Sequence, residues 1–365
     1  MNVLIMAGGT GGHVFPALAV AARLKELGHR VTWMGAPDSF EARRVPEAGF
    51  PIEFVRVSGL RGKGSVKMLA APLLITRAVH QALGILGRVQ PDVVLGMGGF
   101  AAGPGGFAAW LKRIPLVIHE QNAAAGLTNR LLAVLASAVL QAFPATFRKG
   151  ETVGNPVRSG FAELPPPAAR IGTAARPRVL VVGGSQGSRA LNQIVPAALA
   201  RMPPASRPQV RHQAGRTLEV ANSSYGEAGV HDDARVEAFI TDMPSAFARA
   251  DLVVCRSGAS TIAELSAAGV ASILVPFPFA VDDHQTSNAH YLSDAGAAVL
   301  IAEKDLSPER LAAEFTALLV DKSRLVAMAN AAREKAWGSA VEKIIAALTH
   351  SARSVRPPPQ PVLLS

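Results

Sequence analysis

The sequence predicts an α/β fold of two Rossmann-like parallel-sheet domains facing a cleft. Apolar strand-like runs alternate with helical patterns along the whole chain, the signature of βαβ units. Two of those runs, in opposite halves, feed glycine-rich loops: VLIMAGGTGGH at Val3–His13 and VLVVGGSQGSR at Val179–Arg189. At 365 residues the chain exceeds the size at which a single core usually splits. Glycine lets backbone approach a ligand closely, and the following helix presents free N–H groups and a partial positive charge.

In the first half the expected strands are Val3–Ala7, Val31–Met34, Ile52–Val57, Val93–Gly96 and Leu116–His119. In the second half they are Val179–Val182, Val210–Gln213, Leu252–Cys255 and Ser272–Val275. The helix after the first loop carries Pro16 near its start and Gly28 as its stop. Helical patterns also fill Val66–Arg88, Pro308–Leu319 and Lys322–Leu348. A domain boundary is expected near Gly154–Arg158, giving domains 1–157 and 158–336, with Pro165–Pro167 read as linker. A C-terminal helix at 337–350 is expected to return to the first domain, and the proline-rich tail, 351–365, to be disordered.

Composition narrows the partners. A net charge of +10 favours anionic ligands: nucleotide, nucleic acid or anionic lipid. Lys and Arg form no long runs and aromatics make up only 5%, so no nucleic-acid partner is expected. The single cysteine, Cys255, excludes an intrachain disulfide and suits a reducing compartment. No signal peptide is read at the N-terminus, and the most apolar window, Met68–Thr76, is closed by Arg77, short of a membrane span.

The loops fit neither common phosphate-binding format. Counting from Gly9 and Gly11, the third position of a G-x-G-x-x-G pattern falls on Val14, and no acidic residue follows the second strand to hold a dinucleotide ribose. In Gly59–Ser65, Lys63 is followed by Gly64, so a P-loop fails as well. Each half does hold a second glycine- or serine-rich loop, GMGGFAAGPGG at Gly96–Gly106 and RSGASTIAE at Arg256–Glu264. Ser257, Ser260 and Thr261 are candidate helix caps. Glu264 sits where it could accept ribose hydroxyls or merely complement the helix dipole.

GGTGGHVFPALAVA (Gly8–Ala21), GMGGFAAGPGG, HEQN (His119–Asn122), VGNPVR (Val153–Arg158), GGSQGS (Gly183–Ser188), RSGASTIAE and QTSNA (Gln285–Ala289) occur in that order. Together they closely resemble the MurG family, bacterial transferases that make lipid II from lipid I. The resemblance implies a GT-B architecture with lipid I on the N-terminal domain and UDP-GlcNAc mainly on the C-terminal one. It implies transfer of GlcNAc to the 4-hydroxyl of MurNAc with inversion, without metal or cofactor, by a peripheral enzyme on the cytoplasmic face of the inner membrane. The donor-contacting positions it carries over are Thr10, Gly11, Gly12, Asn122, Arg158, Ser185, Ile240, Ala259, Ser260, Thr261, Ile262, Ala263, Glu264 and Gln285. Ser185 and Arg158 then suit diphosphate oxygens, Ile240 offers backbone groups to uracil, Glu264 accepts ribose hydroxyls and Gln285 holds sugar hydroxyls. The pattern departs at Phe100, where a tyrosine is expected, and in Pro278–Asp283, which is longer than usual.

Such a reaction needs a base for the acceptor hydroxyl. His13, beside Gly12, is the first candidate and Glu120 the second; either could instead only position substrate or structure. Helix N-termini and Arg158 can meet the leaving-group charge, and no Asp-x-Asp pattern is present. Asp282–Asp283–His284 reads as a solvated loop. Apolar Leu69, Leu73, Leu74, Leu83, Ile85 and Leu86, bordered by Arg61, Lys63, Lys67, Arg77 and Arg88, suit an anionic membrane surface or a core-facing helix; Trp110, Lys112 and Arg113 lie nearby. The rival readings are a UDP-sugar epimerase or other glycolipid transferase, a nicotinamide oxidoreductase, and a non-catalytic nucleotide-sugar or lipid binder.

Overall fold

The computed structural model describes residues 1–57, 71–161, 163–184, 186–280 and 283–355. The chain divides into two compact units, one of Met1–Pro156 with the segment from Ser339 onward, the other Val157–Gly338.

The first unit contains a seven-stranded sheet. Its strands are β1 (Asn2–Met6), β2 (Arg30–Gly35), β3 (Ile52–Phe54), β4 (Val93–Gly96), β5 (Leu116–Glu120), β6 (Ala138–Gln141) and β7 (Glu151–Thr152). The order is β3-β2-β1-β4-β5-β6-β7 and every pairing is parallel, with Val3 opposite both Val31 and Val93. Both faces are covered, which is why the strand runs are continuously apolar. Val3 and Ile5 enter one core with Val20, Leu24 and Leu95, while Leu4 and Met6 enter another with Ala82, Ile85 and Ile118. The helices are α1 (Gly11–Glu26), α2 (Phe40–Glu47), α3 (Ala71–Val89), α4 (Ala102–Leu111) and α5 (Leu127–Leu132).

The second unit repeats the scheme with six strands: β8 (Arg178–Val182), β9 (Gln209–Gln213), β10 (Ala234–Glu237), β11 (Leu252–Cys255), β12 (Ala271–Leu274) and β13 (Ala298–Leu300). Their order is β10-β9-β8-β11-β12-β13, again all parallel. The helices are α6 (Pro167–Arg170), α7 (Arg189–Ala200), α8 (Leu218–Glu227), α9 (Met243–Arg249), α10 (Ala259–Ala268), α11 (His284–Ser293), α12 (Pro308–Leu319) and α13 (Lys322–Glu334). A last helix, α14 (Ala340–Val355), buries Ile344, Ile345, Leu348 and Ala352 in the core of the first unit.

Four strands absent from the sequence reading, β6, β7, β10 and β13, are short, and three of them form sheet edges. The edge strands β7 (ET) and β10 (ARVE) are half-covered and lack the apolar run that marks a central strand, whereas β6 (AVLQ) and β13 (AVL) are apolar but very short. The single helix expected over Lys322–Leu348 is two, interrupted where Ser339 takes φ 64°. The expected linker at Pro165–Pro167 leads into α6, whose Arg170 is buried and donates to the carbonyls of Ala268 and Gly269 that end α10. The C-terminal helix runs to Val355, past the expected start of the tail at 351; residues 356–365 lie outside the described set.

In both units the strand order reverses beside the first strand, between β1 and β4 and between β8 and β11. In open parallel sheets, ligands bind at such switch points, beyond the carboxyl ends of the strands. All four glycine- or serine-rich loops leave these strands.

Candidate functional site

In the first unit the loops after β1 and β4 interlock. Gly8 N–H donates to Gly98 O at 3.2 Å. A Cβ on Gly99, whose φ is +94°, would stand 2.6 Å from the Gly8 carbonyl oxygen, so only glycine permits this approach. The buried Glu41 fastens the first loop from below. Its Oε2 accepts from Gly9 N–H at 3.0 Å and its Oε1 from Ala36 N–H at 3.1 Å. Sequence reasoning missed Glu41, because the signal was only an acid after a turn.

Thr10 is the N-cap of α1, but its side chain caps nothing, and the first turn holds no acidic residue. The positive end of α1, with Gly11 and Gly12, therefore has no side-chain cap. His13 follows. Its Nδ1 lies 2.9 Å from Gly8 O. A carbonyl only accepts, so Nδ1 carries the proton and Nε2 of the neutral ring keeps its lone pair.

The HEQN stretch ends β5. His119 is fully buried; its Nε2 donates to Gly154 O at 2.9 Å and its Nδ1 accepts from Gln121 Nε2 at 3.1 Å. Burial pulls its pKa down to about 4, against the opposing effects of the Gly154 bond and Glu120. It is a neutral brace between β5 and the VGNPVR segment. Glu120 is also buried. Its Oε1 accepts from the Asn122 N–H at 3.0 Å and Nδ2 at 3.2 Å, and its Oε2 from Gly126 N–H at 3.2 Å and Asn129 Nδ2 at 2.9 Å. Four neutral donors saturate this carboxylate. Asn122 is thereby held in the loop through both its backbone and its side chain.

In the second unit, Ser185 lies outside the described residues. Its loop leads into α7, which is capped by Ser188, whose Oγ accepts from Leu191 N–H at 3.3 Å. Ile240 is buried and its N–H is engaged, donating to Gln213 Oε1 at 3.0 Å. Of the two backbone groups expected to read a base, the carbonyl is the one left to do so. Gln213, at the end of β9, is a second residue that sequence reasoning missed.

The loop after β11 opens α10 at Gly258, with no side-chain cap and no acid in the first turn. Ala259, Ser260 and Thr261 form that turn, and Ser260 Oγ is buried without a protein partner. Ile262 is buried in the core, its N–H donates to Gly258 O at 3.0 Å and its carbonyl accepts from Ser266 Oγ at 2.9 Å, so it lines the turn without a free group for a ligand. Ser257 Oγ donates to Gln285 O at 2.8 Å, and Phe277 N–H donates to Gln285 Oε1 at 2.9 Å. The Gln285 amide nitrogen is what remains to meet a ligand. Glu264, 8% exposed, takes both Arg158 Nε at 3.1 Å and Nη2 at 2.6 Å on its Oε1. Burial raises its pKa, and the Arg158 charge and hydrogen bond oppose that rise. Ribose and diphosphate were the expected partners of these two side chains; here they hold one another.

On the first unit, α3 packs against α4 and α4 against α5. Leu73, Leu74 and Ile75 of α3 are exposed, whereas Ile85 and Leu86 are core, so the core-facing reading holds for the C-terminal half of this helix. Arg61, Lys63, Lys67 and Leu69 lie outside the described residues. Phe107 and Trp110 stack with centroids 5.5 Å apart, and both are exposed, as are Leu127, Leu131 and Val134. Exposed Arg77, Lys112, Arg113 and Arg130 lie on the same helices or at their ends. Among the described residues no helix is long and apolar enough to cross a membrane.

Residues 3–141 match the glycosyltransferase family 28 N-terminal domain, and residues 178–344 match the family's C-terminal domain. The chain is 58% identical over 337 residues to the UDP-N-acetylglucosamine–N-acetylmuramyl-(pentapeptide) pyrophosphoryl-undecaprenol N-acetylglucosamine transferase of Alkalilimnicola ehrlichii, covering 91% of this chain and 94% of that protein. The crystal structure of Acinetobacter baumannii MurG aligns with a TM-score of 0.82 at 39% identity, over 95% of this chain and 99% of that one. A calicheamicin glycosyltransferase aligns with a TM-score of 0.70 at 17% identity over 98% and 100% of the two chains, a likeness of fold alone. Two parallel sheets with matching switch points, read with these likenesses, make the fold GT-B, and the chain belongs to glycosyltransferase family 28 and, within it, to the MurG family.

Proposed function

We propose that the protein transfers GlcNAc from UDP-GlcNAc to the 4-hydroxyl of MurNAc in lipid I, giving lipid II and UDP. The observation that carries this is the 58% identity over nine-tenths of the chain with a transferase of that name. The groups assigned to donor and acceptor in this reading are as follows. In the second unit, the uncapped end of α10 with Ser260 Oγ meets the diphosphate, the Ile240 carbonyl accepts from the uracil N3–H, Glu264 accepts from ribose and Gln285 donates to the sugar. In the first unit, Thr10, Gly11 and Gly12 present the positive end of α1, and His13 Nε2 takes the proton of the attacking hydroxyl. The new C–O bond forms at the anomeric carbon as the bond to the phosphate oxygen breaks. The configuration inverts from α to β, and UDP leaves with the electron pair. Glu120 holds Asn122 and its loop in place as a positioning residue.

Incubation with UDP-GlcNAc and a soluble lipid I analogue tests this, with product mass and linkage as readout. A β-linked disaccharide and one UDP per turnover are expected, in the presence of excess chelator. Free N-acetylmannosamine with unchanged acceptor would assign an epimerase instead.

We further propose that the exposed face of α3, α4 and α5 rests on the anionic cytoplasmic surface of the membrane. Apolar side chains flanked by Arg77, Lys112, Arg113 and Arg130 support this. Sedimentation with vesicles containing anionic lipid should carry the protein down, salt should release it, and Leu131→Ser with Val134→Ser should weaken it without lowering the melting temperature. Equal sedimentation with neutral vesicles would remove the electrostatic part.

A further inference from the structure

Arg158 and Glu264 are joined more firmly than two independent ligand contacts would be. Two guanidinium bonds end on Glu264 Oε1, at 3.1 and 2.6 Å, so Oε2 is the Glu264 oxygen that Arg158 does not engage. The guanidinium is also fixed from a second side, 5.8 Å from the ring centroid of Phe161, which is fully buried and packs edge-on against Phe247 at 5.2 Å. An arginine held by a carboxylate and an aromatic ring is pre-organised, with little freedom left to follow a phosphate.

The chemistry of the carboxylate points the same way. Glu264 is almost fully covered, and an isolated carboxylate there would take up a proton, losing its strength as an acceptor for two vicinal hydroxyls. Drawing Arg158 away to a diphosphate would leave Glu264 buried and unpaired beside new negative charge, an arrangement that buried ion pairs resist strongly.

We propose that Arg158 acts on the donor through Glu264: it grips one carboxylate oxygen and thereby holds the other as an ionised acceptor for the ribose hydroxyls. Arg158 is then a positioning residue for the ribose and not a ligand of the diphosphate. This rests on the reading that the second unit takes UDP-GlcNAc.

The test is a set of binding isotherms for UDP, 2′,3′-dideoxy-UDP, UMP and uridine, measured on the full chain. The proteins are wild type, Arg158→Met, Glu264→Gln and the double variant. Wild type should bind UDP at least about tenfold more tightly than the dideoxy analogue, the scale of a hydrogen bond to a charged group. Each single variant should abolish that preference, the double variant should be no weaker than the worse single one, and the ladder from uridine to UDP should keep its steps. A step lost at UDP or UMP in Arg158→Met, with ribose preference intact, would overturn the proposal by placing the arginine on phosphate. If Arg158→Met does not fold, Glu264→Gln decides: an unchanged ribose preference there is equally fatal. Absence of UDP binding by wild type would instead remove the donor reading, and the proposal with it.

Discussion

Glu120 and Glu264 are both buried carboxylates next to a strand-end loop, yet their surroundings make them different tools. Glu120 meets four neutral N–H donors distributed over both oxygens, and all four belong to its own loop and α5. Glu264 meets one cation, on one oxygen. A carboxylate saturated by neutral donors is a brace, because any proton it took would displace a bond the loop depends on. A carboxylate paired on one side keeps an oxygen for a ligand. The comparison therefore favours His13 for the proposed base role, since its Nδ1 is tied to Gly8 O and its Nε2 is the ring nitrogen outside that bond.

The sharpest way to break this contrast is at the base. His13→Ala should lower kcat by roughly 10²–10⁴-fold, the usual contribution of a general base, with UDP binding unchanged. Near-normal turnover in that variant, with a large loss in Glu120→Gln, would reverse the assignment. The next largest effect is expected at Glu264. Glu264→Ala should lower donor kcat/KM by about 10–150-fold, corresponding to a charged hydrogen bond of roughly 1.5–3 kcal/mol, and leave the acceptor KM alone. Loss of melting temperature with intact donor kinetics would make Glu264 a brace like Glu120.

Glu120→Gln should behave in the opposite sense. The amide places two donors where Asn122, Gly126 and Asn129 already donate, so the first unit should lose about 1–3 kcal/mol. The expected readout is a lower urea midpoint with kcat of the folded fraction reduced far less than in His13→Ala. A normal midpoint with a collapsed kcat would show that Glu120 acts chemically.

Much of this was legible in the sequence, and the limits have physical causes. Central strands announce themselves because both faces are buried, so Val3–Ala7 and Leu252–Cys255 stand out as apolar runs. The edges β7 and β10, ET and ARVE, carry no such mark. Glycine loops reveal where backbone approaches something, which located the two switch points. They do not reveal what fastens a loop from beneath. Glu41 and Gln213 are single polar residues whose role depends on contacts at long range, with Gly9 and with Ile240. Nor could spacing show that Arg158 and Glu264, far apart in sequence, would meet. The α3 helix was readable as amphipathic, but the exposure of Leu127, Leu131 and Val134, on and just beyond α5, shows only in the fold.

A further contrast separates two buried histidines, one in each unit. His119 has both ring nitrogens engaged and a pKa of about 4. His212 bonds Tyr225 through Nδ1 at 3.1 Å, leaves Nε2 buried without a partner, and is pulled by burial to about 3. Both values lie below the ordinary 6.5, so the unfolded chain binds these protons first. Stability is complete above pH 6.5 and is lost as pH falls toward each folded value. Between pH 7.5 and 5 each histidine should remove about 2 kcal/mol from its own unit. The two part company lower down: the contribution of His119 levels off near pH 4, while that of His212 continues toward pH 3. Urea midpoints measured across this range should slope downward as pH falls, and His119→Gln should flatten the slope of the first unit's transition alone. A slope unchanged by that substitution would mean that His119 is protonated in the folded protein, and the brace between β5 and Gly154 would then have to tolerate a buried charge.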